Sequence, residues 1–384
     1  MTSPAIPRMR ILFICTGLKT GGAEQQVAGL AKAFVQDRHD VAIVSLTPGC
    51  EVTLPAGITV VHLNMRKTVA SMARALRQLN RFVRQWQPHI IHTHMVHANL
   101  MGRALAALMA APPVICTAHS AREGGRLRML AYRLTDRWAA LNSHVSESAR
   151  QAMIDAGAVV PERIIVMPNG IDTDLFRPDP ALRQVTRTAL GIYPGTRLVV
   201  NIGRLAPEKA QPLLIQAFAG MVRTPGHADT RLLVAGEGPM RGALEAAIRQ
   251  HDAAGFITLA GNRRDIPALL NAADLFVLSS DVEGMPLAVG EALACGCPVV
   301  ATDAAGVAEL LGDAGIIVPR GNADALAKAM SDTLARGIGS DAEQMRRRQR
   351  VLAHCSLDAV ARRWLACYAA VASAHGSVTC AEPT

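Results

Sequence analysis

What most constrains the fold of this chain is an alternation, run through twice, of short apolar strands with helix-length stretches. "RILFIC" at 10–15 leads into the glycine turn "TGLKTGG" and a helix expected over about Ala23 to Phe34, after which "DVAIVSL", "HIIHTH", "PVICTAH" and "IIVMPNG" read as further strands. The order restarts with "RLVVNIGRL", "RLLVAGEG", "ITLAG", "DLFVLSS" and "CPVVATD", separated by helices such as "QPLLIQAFAGMV" and "MRGALEAAIRQ". Strands alternating with helices make a parallel sheet in an α/β layer. The expected architecture is therefore two facing Rossmann-like, doubly wound domains with an interdomain cleft, residues 1–178 and 179–384. The linker is placed near "LFRPDPALRQ", where Pro178 and Pro180 discourage continuous helix, and the last helix, about 358–375, is expected to pack back on the N-terminal domain. In such sheets ligands bind beyond the carboxyl ends of the strands.

At 384 residues, half of them apolar, the chain can bury a substantial core in each domain. No apolar run reaches the roughly 18 residues of a membrane span: "LMGRALAALMAAPPVICTA" is broken by Arg103 and by Pro112-Pro113. The N-terminus has too short an apolar run for a secretory signal, and the eight scattered cysteines suit reduced, buried thiols, so a cytoplasmic protein is expected. Residues 1–178 carry 20 Lys and Arg against 11 Asp and Glu, whereas 179–384 carry 20 of each. That asymmetry points to an anionic partner for the first half: a membrane surface, a nucleic acid or a phosphorylated substrate. Aromatic residues at 3% of the chain, with no recognisable motif, argue against nucleic acid and against a non-catalytic carbohydrate-binding platform.

The chemistry gathers in "SSDVEGMPLAVGEALACGCPVV", residues 279–300. Glu283 falls in the loop at the carboxyl end of "DLFVLSS". Pro286 suits the first turn of a helix and Gly296 its stop, which predicts a helix of about 286–295 whose amino end offers N–H groups and a dipole to a phosphate or sugar oxygen. Glu291 lies deeper in that helix, a costly place for a carboxylate without hydroxyl donors. Two readings stay open: an interior arginine pairs with Glu291 while Glu283 is a solvated turn acid, or a nucleotide-sugar brings its sugar hydroxyls to Glu283 and its ribose to Glu291. In "GRLAPEK", Arg204 and Lys209 suit a diphosphate, or are a solvated pair of charges. Gly17, Gly21 and Gly22 form a loop that lets backbone approach a phosphate, although it is neither GxGxxG nor a P-loop. His119 closes the strand "PVICTAH" and is either structural or functional.

"EGMPLAVGE" resembles the E-x7-E signature of the retaining glycosyltransferases of family 4, which have the GT-B fold. "GGAE" at 21–24, "PNGID" at 168–172, "GRLAPEK", "GEGP" at 236–239 and "PVVATDAAGVAEL" at 298–310 resemble other blocks of that family, in its order, so the resemblance covers residues 10 to about 375. It implies that Arg204 and Lys209 bind the donor diphosphate, Glu283 the hydroxyls of the transferred sugar and Glu291 the nucleotide ribose. It implies that Gly284, Met285, Pro286 and Leu287 line the donor, that Gly21 and Gly22 border the reaction centre, and that His119 contacts the donor sugar near its 6-position. The catalytic set is then Glu283, His119, Arg204 and Lys209. Ala210 and Pro212 stand where the family often has Gly and Asp, and Ala305 replaces the first of a frequent Gly pair. Surroundings of "GGRLRMLAYRLTDR" look like the branch that builds bacterial surface polysaccharides, which implies a hexose moved from a nucleotide-diphosphate sugar, UDP-linked first of all, to a polyprenol-diphosphate-linked acceptor in exopolysaccharide or lipopolysaccharide assembly. The alternative is a nucleotide-sugar epimerase of the same fold acting on the donor alone.

No cofactor and no metal are expected. "DTD" at 172–174 imitates a metal-binding motif but reads as a turn, and His89, His92, His94 and His97 of "HIIHTHMVH" lack a Cys or carboxylate to complete a zinc set. In "ASMARALRQLNRFVRQW", Met72, Leu76, Leu79, Val83 and Trp86 make one helical stripe and Arg74, Arg77, Arg81 and Arg84 another. That basic face is either solvated or, with "GRLRMLAYRLTDRW", rests peripherally on anionic lipid.

Overall fold

The structure, a computed structural model, describes residues 7–379 apart from Thr20 and Arg122, without the side chains of 375–379. Thr20 of the expected glycine turn thus lies outside the described residues. The chain divides into two compact units, Met1–Gly170 with Leu357–Thr384, and Ile171–Ser356. It leaves the first unit after Gly170 rather than at 178 because Ile171 is already tied to the second: its N–H bonds the carbonyl of Cys355 at 2.8 Å, and it bridges Ser356. Gly170 is held close to the returning chain, since a Cβ there would lie 2.9 Å from Leu357 Cα.

The first unit is a parallel sheet of β1 (Arg10–Cys15), β2 (Asp40–Ser45), β3 (Thr59–His62), β4 (Ile90–His94), β5 (Val114–Ala118), β6 (Leu141–His144) and β7 (Ile164–Val166), ordered 3-2-1-4-5-6-7. Both faces are covered, which is why β1 reads as a continuous apolar run. Ile11, Phe13 and Cys15 pack with Leu30 and Phe34 of the helix Gly22–Gln36 and with Trp364, Leu365 and Tyr368 of the last helix, Leu357–Thr379. Leu12 and Ile14 pack on the other face with Leu79 and Val83 of the helix Val69–Trp86 and with Leu105. Of the stripe expected on that helix, Met72 stays 39% exposed.

The second unit is a parallel sheet of β8 (Arg197–Ile202), β9 (Thr230–Ala235), β10 (Ile257–Gly261), β11 (Leu275–Leu278), β12 (Val299–Thr302) and β13 (Ile316–Val318), ordered 10-9-8-11-12-13. Its core unites Val199, Leu232, Leu275 and Val300 of the sheet with Phe218, Leu244 and Met330 of the covering helices. Three strands escape a search for apolar runs. β3 is half-exposed, β13 has three residues, and β6 (LNSH) carries buried polar side chains.

Candidate functional site

In each sheet the winding reverses at one point, between β1 and β4 and between β8 and β11, the place beyond which ligands bind in sheets of this kind. In the second unit the loop after β8 carries Arg204 and Lys209, and the loop after β11 carries Glu283. Lys209 Nζ donates to Glu283 Oε1 at 2.6 Å, and both side chains are largely buried. The diphosphate cation and the sugar-binding acid of the sequence reading are thus joined in one ion pair. Arg204 does not reach it. Its guanidinium, 63% exposed, pairs with Glu208, a residue that the sequence reading passed over although it lies inside the quoted block.

The two loops are stitched through backbone. The N–H of Asp281 donates to Glu208 O at 2.9 Å, and Ser279 Oγ donates to Lys209 O at 2.9 Å. Below them "GEGP" presses against the strand end: a Cβ on Gly236 would stand 2.0 Å from Gly203 O and one on Gly238 2.3 Å from Leu205 O, so both positions exclude any side chain. Ala210, where the family often has glycine, adopts φ 45° and ψ 35° at the start of the helix Gln211–Val222. That left-handed backbone is strained for a residue with a Cβ.

The expected helix forms over Leu287–Ala294, with Pro286 just before it as the cap residue and Gly296 at φ +74° after it. No side chain caps its start. Val289 and Gly290 donate back to Pro286 O, but among the described residues no acceptor meets the N–H of Leu287 or Ala288. Of the two open readings, the one that pairs Glu291 with an arginine is not realised among the described residues. The half-buried Arg348 spends its guanidinium on the carbonyls of Thr173, Phe176 and Ala294. Glu291 has no ion pair or hydrogen bond among the described residues, and burial alone pushes its carboxyl up to about 7. Gly284, Met285 and Pro286 are buried and Leu287 is half-buried beside it.

In the first unit, Gly21 is the cap residue of the helix Gly22–Gln36; its φ of −170° is ordinary, but a Cβ would meet the Glu24 carboxylate at 2.4 Å. His119 follows β5, and its Nε2 lies 2.9 Å from Nδ1 of His94, the last residue of β4. The loop carrying His119 is pinned by Glu123, whose Oε1 accepts the N–H groups of His119 and Ser120 at 3.1 Å each. Desolvation pushes the Glu123 carboxyl up, and it pushes the His119 imidazole down to about 3. Neither Glu123 nor the pairing of the two histidines was singled out from the sequence; "HTH" and "TAH" ending neighbouring strands was the available signal. His92 is engaged otherwise, with Nδ1 2.6 Å from Tyr368 Oη and Nε2 2.6 Å from Thr117 Oγ1, which accounts for it as a core residue. Asp172 Oδ1 accepts the N–H groups of Asp174 and Leu175, so "DTD" is a turn. Among the described residues no group of three or more His, Cys, Asp or Glu could hold a metal ion.

Two parallel doubly wound sheets, the second with the Lys209–Glu283 pair at its switch point beside a helix start that no side chain caps, define the class of fold. Residues 20–175 match the family model described as Glycosyltransferase Family 4, and residues 196–336 match the one described as Glycosyl transferases group 1. Among curated relatives, the UDP-Gal:alpha-D-GlcNAc-diphosphoundecaprenol alpha-1,3-galactosyltransferase of Escherichia coli is 28% identical over 60% of this chain and 62% of its own length. The Bacillus subtilis protein EpsF is 26% identical over 91% of this chain and 93% of its own length. In fold, the chain is similar to Anabaena Alr3699/HepE, solved with UDP and glucose, at a TM-score of 0.79 and 22% identity over 93% of this chain and 98% of that one. The chain belongs to the family 4 glycosyltransferases of the GT-B type, and is an enzyme of the hexosyltransferase class.

Proposed function

We propose that the enzyme is a retaining glycosyltransferase that moves a hexose from a nucleotide-diphosphate sugar, with a UDP-sugar the first candidate, to a polyprenol-diphosphate-linked glycan in surface-polysaccharide assembly. The observation that carries the donor half of this reading is Glu291, a half-buried carboxylate without a partner, one turn behind an uncapped helix start and beside the Lys209–Glu283 pair. The two hydroxyls of a ribose would supply the donors that Glu291 lacks. The N–H groups of Leu287 and Ala288, with Lys209 and Arg204, would take the diphosphate, and Glu283, held by Lys209, the hydroxyls of the transferred sugar. For His119, Gly21 and Gly22 of the first unit, the proposed roles rest on the family resemblance alone.

In this mechanism the bond from the anomeric carbon to the diphosphate oxygen breaks and a bond to the acceptor oxygen forms on the same face. The leaving diphosphate takes the acceptor's proton. The cations and helix start stabilise the charge that grows on the leaving group, so the chemistry is chiefly electrostatic, and no cofactor or metal is assigned a step.

A lipid-linked acceptor is supported by the Escherichia coli relative, whose name specifies a diphosphoundecaprenol substrate. It is also supported by the helix Arg126–Thr135, on which Leu127, Leu130 and Leu134 are 84%, 49% and 64% exposed beside Arg126, Arg133 and Arg137. An apolar stripe edged with arginines suits the surface of an anionic bilayer. No helix among the described residues is long and apolar enough to cross a membrane, so the proposed location is peripheral, at the cytoplasmic face. Incubation with UDP-, GDP- and ADP-hexoses, with and without a lipid-diphosphate glycan, tests the reading. Transfer that keeps the anomeric configuration is expected. Inversion would refute retention, and release of a sugar isomer from donor alone would favour an epimerase instead. Binding to vesicles containing anionic lipid should fall when Leu127, Leu130 and Leu134 become serine.

A further inference from the structure

Doubly wound sheets take their ligands beyond the carboxyl ends of the strands. The first unit also has a hollow at the opposite end. A cavity of about 480 Å³ lies at the amino ends of β1, β2 and β3, with Arg10, Val35, His39, Asp40, Gln85 and Trp86 in its wall. Small-molecule sites have volumes of that order. The Arg10 guanidinium is half-buried and has no ion pair or hydrogen bond among the described residues. Its register neighbour on β2, Asp40, turns Oδ1 to Arg8 at 2.5 Å. His39 is only 8% exposed; its Nδ1 accepts the N–H of Met9 at 3.0 Å, and desolvation pushes the imidazole's pKa down. The ring is therefore neutral at pH 7 and carries its proton on Nε2.

These groups select a class of ligand. Arg10 and His39 donate, Asp40 accepts, and the Gln85 amide does both. The helices Gly22–Gln36 and Val69–Trp86 end on this side, with Val35, Gln85 and Trp86 of their last turns in the wall, and helix ends of that sense carry partial negative charge. A phosphate would find Arg10 but also Asp40 and two helix ends of its own sign. A cation would meet Arg10 and a carboxylate that Arg8 already neutralises. A neutral polyol suits every group, since each hydroxyl both donates and accepts. Trp86 adds an aromatic surface, held in plane by Phe82, whose ring stacks on it at 6.2 Å and 11°. The C–H face of a pyranose ring is apolar and packs on such a surface.

We propose that the cavity at the amino ends of β1, β2 and β3 is a second binding site, for a neutral hexopyranose unit, with Arg10, His39 and Asp40 on its hydroxyls and Trp86 against its ring. The unit is either a free sugar or part of a glycan chain. The site stands apart from the donor and acceptor roles proposed above and does not depend on them. One aromatic ring and a few hydrogen bonds in an open cavity set a dissociation constant on the order of 1 mM.

The test uses the full chain labelled with nitrogen-15 at tryptophan, in which Trp86, Trp138 and Trp364 give three indole signals and Trp86→Phe identifies the first. Methyl α-glucopyranoside, methyl α-galactopyranoside and maltotriose are titrated, with inorganic phosphate and uridine as the competing classes. At least one of the sugars should shift the Trp86 signal saturably and leave Trp138 and Trp364 in place. Tighter binding of maltotriose than of both hexosides would identify a glycan chain as the source, and equal or weaker binding a free sugar. Arg10→Met should weaken sugar binding about tenfold or more, the scale of a hydrogen bond from a charged group, with UDP affinity unchanged by calorimetry. Gln85→Ala, at an exposed helix end, should weaken it about threefold and serves if Arg10→Met fails to fold. The proposal is overturned if the Trp86 signal stays put at about 100 mM of each sugar, a hundredfold above the expected constant. It is equally overturned if both variants bind sugar as the native protein does, or if phosphate or uridine moves the signal and the sugars do not.

Discussion

Glu291→Gln should make the ligand-free enzyme more stable and a poorer binder of nucleotide, and the two effects have different pH profiles. The carboxyl titrates near 7 in the folded chain against an ordinary 4.5, and burial is the cause. A carboxyl raised on folding contributes stability in full below its unfolded value and loses it as pH rises through its folded value. Linkage across that gap gives a difference of about 1.4 kcal/mol near pH 5.5 and about 3 kcal/mol near pH 8. Glutamine does not titrate, so the variant should exceed the native protein by on the order of those amounts, as upper figures because the half-buried site keeps some solvent screening. With UDP the order reverses. Hydrogen bonds from ribose hydroxyls to a carboxylate are worth about 1.5–3 kcal/mol each, so UDP should bind the variant roughly ten- to a hundredfold more weakly. Native affinity should climb between about pH 6 and pH 8, with a proton released on binding. Urea denaturation at several pH values, and calorimetry in two buffers of different ionisation enthalpy, measure these quantities. Parallel stability curves for the two proteins from acid to alkaline pH would refute an unpaired buried carboxyl, and equal UDP affinity would refute its contact with ribose.

Lys209→Ala should weaken UDP binding about tenfold or more and leave Glu283 without its 2.6 Å partner; unchanged affinity, read by calorimetry, would count against the phosphate loop. Glu283→Ala should fold and lose transfer, at a stability cost of about 1–3 kcal/mol from the stranded lysine, while Glu283→Gln keeps an acceptor for Lys209 and should lose transfer at little such cost; near-normal turnover in either would sink the assignment. Ala210→Gly should raise stability by about 0.5–1 kcal/mol in denaturant titrations, since relief of the φ 45° conformation outweighs the larger unfolded-state entropy of glycine. Gly236→Ala should cost more than about 4 kcal/mol or displace the loop after β8, because its Cβ would stand 2.0 Å from Gly203 O; a protein with native stability and native UDP affinity would show that this contact is soft.

The second unit's candidate site was largely legible because its parts are local in sequence. Glu283, Pro286, Glu291 and Gly296 lie within one strand-end, turn and helix, where periodicity and cap chemistry speak directly. The missing piece was pairing across strands: nothing in "GRLAPEK" or "EGMPLAVGE" says that Lys209 takes Glu283 and Arg204 takes Glu208. In the first unit the informative contacts are nearly all of that kind. His94 meets His119 only because β4 and β5 are neighbours, His92 meets Tyr368 only because the last helix returns, and β6 stays hidden because its buried residues Asn142, Ser143 and His144 are polar. A hydrophobic pattern cannot report a strand that satisfies its interior with hydrogen bonds. The chain's crossing after Gly170 was hidden for the same reason, since it is set by a backbone bond from Ile171 to Cys355, far along the chain.

The departures from the family pattern at 210 and 212, read as substitutions near a phosphate loop, acquire a more specific meaning from the geometry. Two helices begin at the switch point of the second sheet, Gln211–Val222 after β8 and Leu287–Ala294 after β11. A helix start binds an anion through its free N–H groups. In the first of these, Pro212 has no N–H and Leu213 donates to Ala210 O, which leaves Gln211 as its first-turn donor. In the second, proline stands one residue before the helix, and the N–H groups of both Leu287 and Ala288 remain unmet. If the proposed donor site is right, anion recognition by backbone would fall mainly on the Leu287 start, with the loop after β8 contributing charge through Lys209 and Arg204. On that proposal Pro212 is tolerable, because the N–H groups offered to the diphosphate lie on the other helix.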